Sequence, residues 1–182
     1  MGIIKKIKLR VGEYILAKEF LFKKREKSVV NFADANYVGI VFNASNPENF
    51  ELVKKYIGYL KENKKKVKSI GFFDLKEVPQ NQLSKLEYDF ISRNDLNWYY
   101  FPSGPDVSNF VSEPFDVIIN FDLENSMSLL YLLAFSKAKF KIGKFTEKYQ
   151  QYYDMMIDVE DNSTLKYFMR NVDVYLNMVN KK

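Results

Sequence analysis

The sequence predicts an α/β fold: a mostly parallel, Rossmann-like sheet with helices on both faces, preceded by a basic amphipathic N-terminal helix. Three observations predict it. Short apolar runs alternate along the chain with segments whose apolar residues recur at helical spacing, which is the order of a βαβ protein. The run at 115–121, FDVIINF, is β-branched and aromatic with little alternation, as a strand covered on both faces requires. The third observation is that positive charge gathers at one end. Residues 1–27 hold nine Lys and Arg against three Glu, a net of +6, whereas the remainder holds 19 basic groups and 20 acids.

The elements follow in order. Within residues 1–27, Ile3, Ile4, Ile7, Val11, Tyr14, Ile15, Phe20, Leu21 and Phe22 fall broadly at the spacing of one amphipathic helix. YVGIVFN, 37–43, reads as the first buried strand. Ser45 is then placed to cap a helix, Pro47 to occupy its first turn, and Glu48 to complete a capping box. Phe50, Val53, Tyr56, Ile57 and Leu60 supply that helix with its apolar face. VKSIGFF, ending at Asp74, is the second strand. Residues 75–86 are polar and interrupted by Pro79, so they read as a loop with one helical turn. YDFIS at 88–92 and NWYYF at 97–101 are both strand candidates, and the spacer Arg93-Asn94-Asp95 would pair them antiparallel.

Ser103-Gly104-Pro105-Asp106 has the form of a helix start, with Val107, Phe110 and Val111 as its apolar face. After the strand at 115–121, MSLLYLLAF at 127–135 is apolar almost all round and should be a buried helix. KFKIG at 139–143 and YDMMIDV at 153–159 read as further strands. Asp161-Asn162-Ser163 is placed to cap a final helix whose stripe is Leu165, Phe168, Met169, Val172, Leu176 and Val179. With no internal repeat and no low-complexity tract, the expected organisation is an arm, residues 1–27, and one α/β domain, residues 28–182.

Composition removes whole classes of chemistry. The chain has no Cys and no His, which excludes disulfides, thiolate nucleophiles, serine or cysteine triads and imidazole or thiolate zinc sites. Catalysis would fall to carboxylates, Lys, Tyr or a hard cation held by oxygen. The strand-to-helix turns, FNASNPE, FDLKEV, FPSGPD and FDLENSM, carry no glycine-rich phosphate cradle. No cofactor and no metal is expected. No run approaches the about 18 apolar residues of a membrane span, and the N-terminus breaks its apolar character with Lys5, Lys6, Lys8 and Arg10. The expectation is a cytoplasmic protein without a transmembrane segment; its oligomeric state is not legible.

Two surfaces are candidates for function. In an open parallel sheet, ligands bind beyond the C-terminal strand ends, where the strand order reverses. Asp122, Glu124 and Asp74 are there as candidate bases or metal ligands, and Asn43, Ser45, Ser103 and Asp158 as candidate ligand contacts. The competing explanation is local: the same residue types are favoured where strands give way to helices, because they satisfy free backbone N–H groups. The second surface is the arm. Its Lys5, Lys6, Lys8, Arg10, Lys23, Lys24 and Arg25 suit a protein or RNA-containing partner, with peripheral membrane contact as a further option.

At FDVIINFDLENSMSLLYLLAFSKAKFKIGKF, residues 115–145, the chain resembles a family of uncharacterised Bacteroidota proteins that share a basic N-terminal stretch, a strand-Asp-helix unit and the AKFKIG element. That resemblance implies the fold and no activity. More distantly, Asp116 to Asp122 and Lys141-Ile142-Gly143 are similar to the N-terminal Rossmann-like half of lipopolysaccharide heptosyltransferases. The chain departs from those enzymes at Asn43-Ala44-Ser45-Asn46, where they resemble one another in a Gly-Asp loop that supplies a catalytic carboxylate. The expected function is therefore a non-enzymatic binding or scaffold protein that works through its basic arm. The alternative is a small enzyme, or a degenerate sugar-transferase-like ligand-binding domain, that uses the strand-end acids.

Overall fold

The computed structural model describes residues 2–83, 88–159 and 163–179 of the chain. Six strands form one sheet in the order β3-β2-β1-β4-β5-β6, comprising β1 Tyr37–Asn43, β2 Lys66–Phe72, β3 Asp89–Ile91, β4 Val117–Asn120, β5 Phe140–Lys144 and β6 Met155–Ile157. All five pairings are parallel, with Val41 opposite Ile70, Val38 opposite Val117 and Ile142 opposite Met155. The chain winds outward from β1 to β3, then restarts at β4 on the other side. The strand order thus reverses between β1 and β4, and their carboxyl ends define the crevice that such a reversal leaves open.

Helices cover both faces: α1 Ile3–Phe20, α2 Pro47–Glu62, α3 Gln80–Leu83, α4 Pro105–Ser112, α5 Met127–Phe135 and α6 Leu165–Met178. Alternation along the strands divides the core. Val38, Ile40, Phe42, Val117 and Ile119 face α2 and α6, while Val41, Ile70 and Ile118 face α4 and α5. Seven of the nine residues of α5 are large and apolar, so it is buried almost all round, as its composition predicts.

Local chemistry corrects three expectations. The cap of α2 is Asn46, whose side chain accepts from the N–H of Asn49; Ser45 instead accepts from the N–H of Asp74 and ties the first strand-helix turn to the end of β2. Residues 97–101 form no strand. Asn97 Oδ1 accepts from the N–H groups of Tyr99 and Phe101, Tyr100 takes the left-handed conformation (φ 72°), and only the single bridge Leu96 to Pro102 is antiparallel. A side chain that satisfies the backbone of its own loop removes the need for a ladder. The final helix is capped by Thr164, while Asp161 and Asn162 lie outside the described residues.

Helix α1 lies against α5. Leu16 is fully buried, Phe20 packs edge-on against Tyr152, and Glu13 accepts from Lys148 Nζ and Tyr149 Oη. At Gly12 the helix also meets the 97–101 loop, where an added Cβ would lie 2.6 Å from the Tyr99 carbonyl oxygen. Beyond α1, Arg25 enters the body: it donates to the carbonyls of Ala138 and Lys139 and pairs with the Asp154 carboxylate.

Candidate functional site

The carboxyl ends of β1, β2 and β4 are held by side-chain hydrogen bonds, some to backbone and some to other side chains. Asn43 Oδ1 accepts from the N–H of Ser45. After β2, Asp74 pairs with Arg93 Nε at 2.5 Å, and the guanidinium holds this carboxyl below the usual carboxylate range. After β4 the network is buried. Asn120 donates from Nδ2 to Tyr153 Oη at 3.0 Å and accepts the N–H of Asp122 on Oδ1 at 3.0 Å. Asp122 in turn accepts the N–H groups of Glu124 at 3.1 Å and Ser126 at 2.5 Å. Burial pushes the Asp122 carboxyl upward, opposed by the Ser126 and Glu124 donors. Its hydrogen bonding is that of a residue shaping the turn into α5, where Asn125 takes the left-handed conformation (φ 57°).

Two clefts open at this edge, one on each face of the sheet. The first, ≈ 270 Å³, is floored by apolar groups that include Phe72, Leu96, Tyr100 and Met127. Its rim brings together Asn43, Asp74 with Arg93, and Glu124, and Lys5 and Leu9 of α1 close one side. The second, ≈ 310 Å³, lies toward α2 and has Asn46, Asn49, Lys144 and Asp122 around it. Asn43 and Glu124 form part of both, so the loop between β4 and α5 is the partition.

The structure thus gathers four of the expected strand-end residues, Asn43, Asp74, Asp122 and Glu124. Ser45 is turned to the Asp74 backbone and borders a separate depression toward α3. Ser103 does not follow a strand; its N–H donates to the Asp95 carbonyl, and it lines neither cleft. Asp158, exposed after β6, also lines neither. Among the described residues, no three carboxylates gather as a metal-binding cluster.

On the arm, Lys5, Lys6 and Arg10 are exposed on α1, with Lys5 at the first cleft. Lys8 is partly covered. Lys23 lies 4.9 Å over the Phe135 ring, Lys24 is exposed, and Arg25, read from the sequence as a partner contact, is held inside the fold.

Lys141 escaped the sequence reading. It is fully buried in β5 and donates to the Ala134 carbonyl at 2.7 Å, where α5 ends. Burial, aided by Arg25, lowers its amine to about 7. The signal was present in KFKIG. In a strand covered on both faces, a Lys between Phe140 and Ile142 has to point into one of the two cores.

With fold and site in place, the relation to other proteins is narrow. A family of unknown function, DUF6913, matches residues 8–179. The chain belongs to that family. No curated protein and no solved structure matches it, so the heptosyltransferase likeness gains no support. Within the DUF6913 match fall the inner face of α1, from Leu9 to Phe20, the whole sheet, the second cleft and every lining residue of the first cleft except Lys5; the first turn of α1 precedes it. No helix among the described residues is long and apolar enough to cross a membrane.

Proposed function

We propose that this DUF6913 protein is a non-enzymatic binding module that attaches through the outer face of α1 to an anionic lipid surface. The observation that carries the reading is that α1 is apolar on two sides. Its inner side, Leu9, Gly12, Leu16 and Phe20, meets the body, while Ile3, Ile4 and Ile7 stand 78, 71 and 55% exposed and Tyr14 continues the outer stripe. At 100° per residue, Ile3, Ile7 and Tyr14 fall within one narrow sector, flanked by Lys6 and Arg10 on one side and by Ile4, Val11 and Lys18 on the other. An apolar stripe that the body leaves uncovered is available to a second surface.

Cations bordering an apolar stripe match the boundary between lipid headgroups and acyl chains, where each Lys or Arg contributes about 1 kcal/mol near an anionic surface. RNA would use the cations and leave the isoleucines without a role. The test is co-sedimentation with vesicles of phosphatidylcholine, with and without phosphatidylglycerol, for the full chain and for an Ile3→Ser, Ile7→Ser double variant. Sedimentation with the anionic vesicles alone, weakened by salt and lost in the variant, is expected. Equal sedimentation of the variant, or none by the parent, overturns the reading; salt-sensitive RNA binding that survives both substitutions would replace it.

A further inference from the structure

We infer that the first cleft, between α1 and the carboxyl ends of β1, β2 and β4, is a binding site for a free α-amino acid with an apolar side chain. Three features of the cleft, independent of what covers the outer face of α1, carry the inference.

The first is the start of α5. No side chain caps this nine-residue helix, its N-cap residue Ser126 lines the cleft, and its first turn carries no acid. The N–H groups of Met127, Ser128 and Leu129 have no intrahelical acceptor, and a helix N-terminus favours a negative group. Beside them, Ser128 lines the cleft while only 2% exposed, and its hydroxyl has no partner among the described residues. With Met127 and Ser128 both lining the cleft, this end of it offers the donors that a carboxylate takes at a helix N-terminus.

The second feature is an acceptor without a donor. Asn125 lines the cleft, and its Oδ1 is buried and unpartnered; rotation of the side-chain amide would turn this oxygen toward a ligand N–H and relieve a standing cost. Glu124 follows Asp122 on the partition and lines the cleft with an exposed carboxylate. An ammonium group placed between them has both a counter-charge and a hydrogen-bond acceptor.

The third is the floor. Phe72, Leu96, Tyr100, Met127 and Leu9 present an apolar surface in a space of ≈ 270 Å³, enough for an aromatic or branched side chain. The rim charges, Lys5 and Arg93 against Asp74 and Glu124, balance, as recognition of a zwitterion requires and recognition of a simple anion does not.

The experiment is a titration of the full chain with L-phenylalanine, followed through the backbone amide resonances by two-dimensional NMR. 3-Phenylpropionate, which lacks the ammonium, and phenethylamine, which lacks the carboxylate, serve as controls. Saturable shifts at residues 125–129 are expected, with each control weaker by about tenfold or more, the worth of one lost charged hydrogen bond. Asn125→Gly, which keeps the left-handed turn while deleting the side chain, and Glu124→Gln should both weaken phenylalanine binding and leave the remaining spectrum unchanged. No saturable shift up to about 20 mM, shifts elsewhere on the molecule, or a control that binds as tightly as phenylalanine overturns the proposal.

Discussion

Replacing Lys141 with Met would separate the two things this residue does: it fills a place in the core, and it holds a titrating amine there. In the folded chain the amine sits among apolar groups with Arg25 nearby, and its pKa falls from 10.5 to about 7, with Asp154 acting in the opposite sense. Between these two values the unfolded chain binds a proton on this group that the folded chain does not. Stability therefore rises with pH across the window and is lost as pH falls through it; below about 7 both states are protonated and the contribution is constant. At about 1.4 kcal/mol per unit, the difference of roughly 3.5 units sets a ceiling of about 5 kcal/mol, of which about 2 kcal/mol falls between pH 7 and 9.

Met is close to Lys in volume, so packing is preserved. The Ala134 carbonyl loses its donor, at a cost of about 1 kcal/mol that does not depend on pH. Urea unfolding of parent and Lys141→Met at pH 7, 8 and 9 is the assay. The parent should gain about 2 kcal/mol over that range while the variant stays nearly flat, so that the variant leads by about 3 kcal/mol at pH 7 and by only about 1 kcal/mol at pH 9. Parallel curves for the two proteins would show that Lys141 stays charged in the fold, and the account of its burial would be wrong.

Gly12→Ala gains about 1 kcal/mol of helix propensity, yet it places a methyl group 2.6 Å from the Tyr99 carbonyl, where backbone has to move. Net destabilisation of about 1–3 kcal/mol is expected, with faster proteolysis around residues 21–28; unchanged melting and cleavage would mean that α1 does not dock as described. Asp122→Ala leaves the N–H groups of Glu124 and Ser126 without an acceptor and should cost about 2–3 kcal/mol, whereas Asp122→Asn, which keeps one acceptor oxygen, should cost less. Thermal unfolding of both variants checks this, and an Ala variant as stable as the parent would reopen the question of what the carboxylate does.

Much of the architecture could be read in the residues because its determinants are local. YVGIVFN is short and rich in β-branched residues, as a central strand is, and MSLLYLLAF is longer and dominated by Leu, as a buried helix is. The loop at 97–101 misled because aromatic content signals a strand, whereas the Asn97 side chain, satisfying two N–H groups, makes the segment a turn. The cap of α2 moved by one residue, from Ser45 to Asn46, for a tertiary reason: the Ser45 hydroxyl is taken by the Asp74 backbone of the neighbouring strand end.

The candidate sites divide along the same line. By itself, the sequence determined the parallel α/β class, the absence of thiol and imidazole chemistry and the concentration of cations near the N-terminus, because each depends on composition or on periodicity along the chain. Only the tertiary structure decided which strand-end acids share a cleft, that Asp122 is occupied by backbone donors while Glu124 remains exposed, that Arg25 turns inward, and that α1 docks by one apolar face and leaves a second uncovered. The physical reason is that whether a polar group is free depends on which partners and how much solvent reach it, and these are set by strand order and by groups far apart in the chain, such as Arg25 and Asp154.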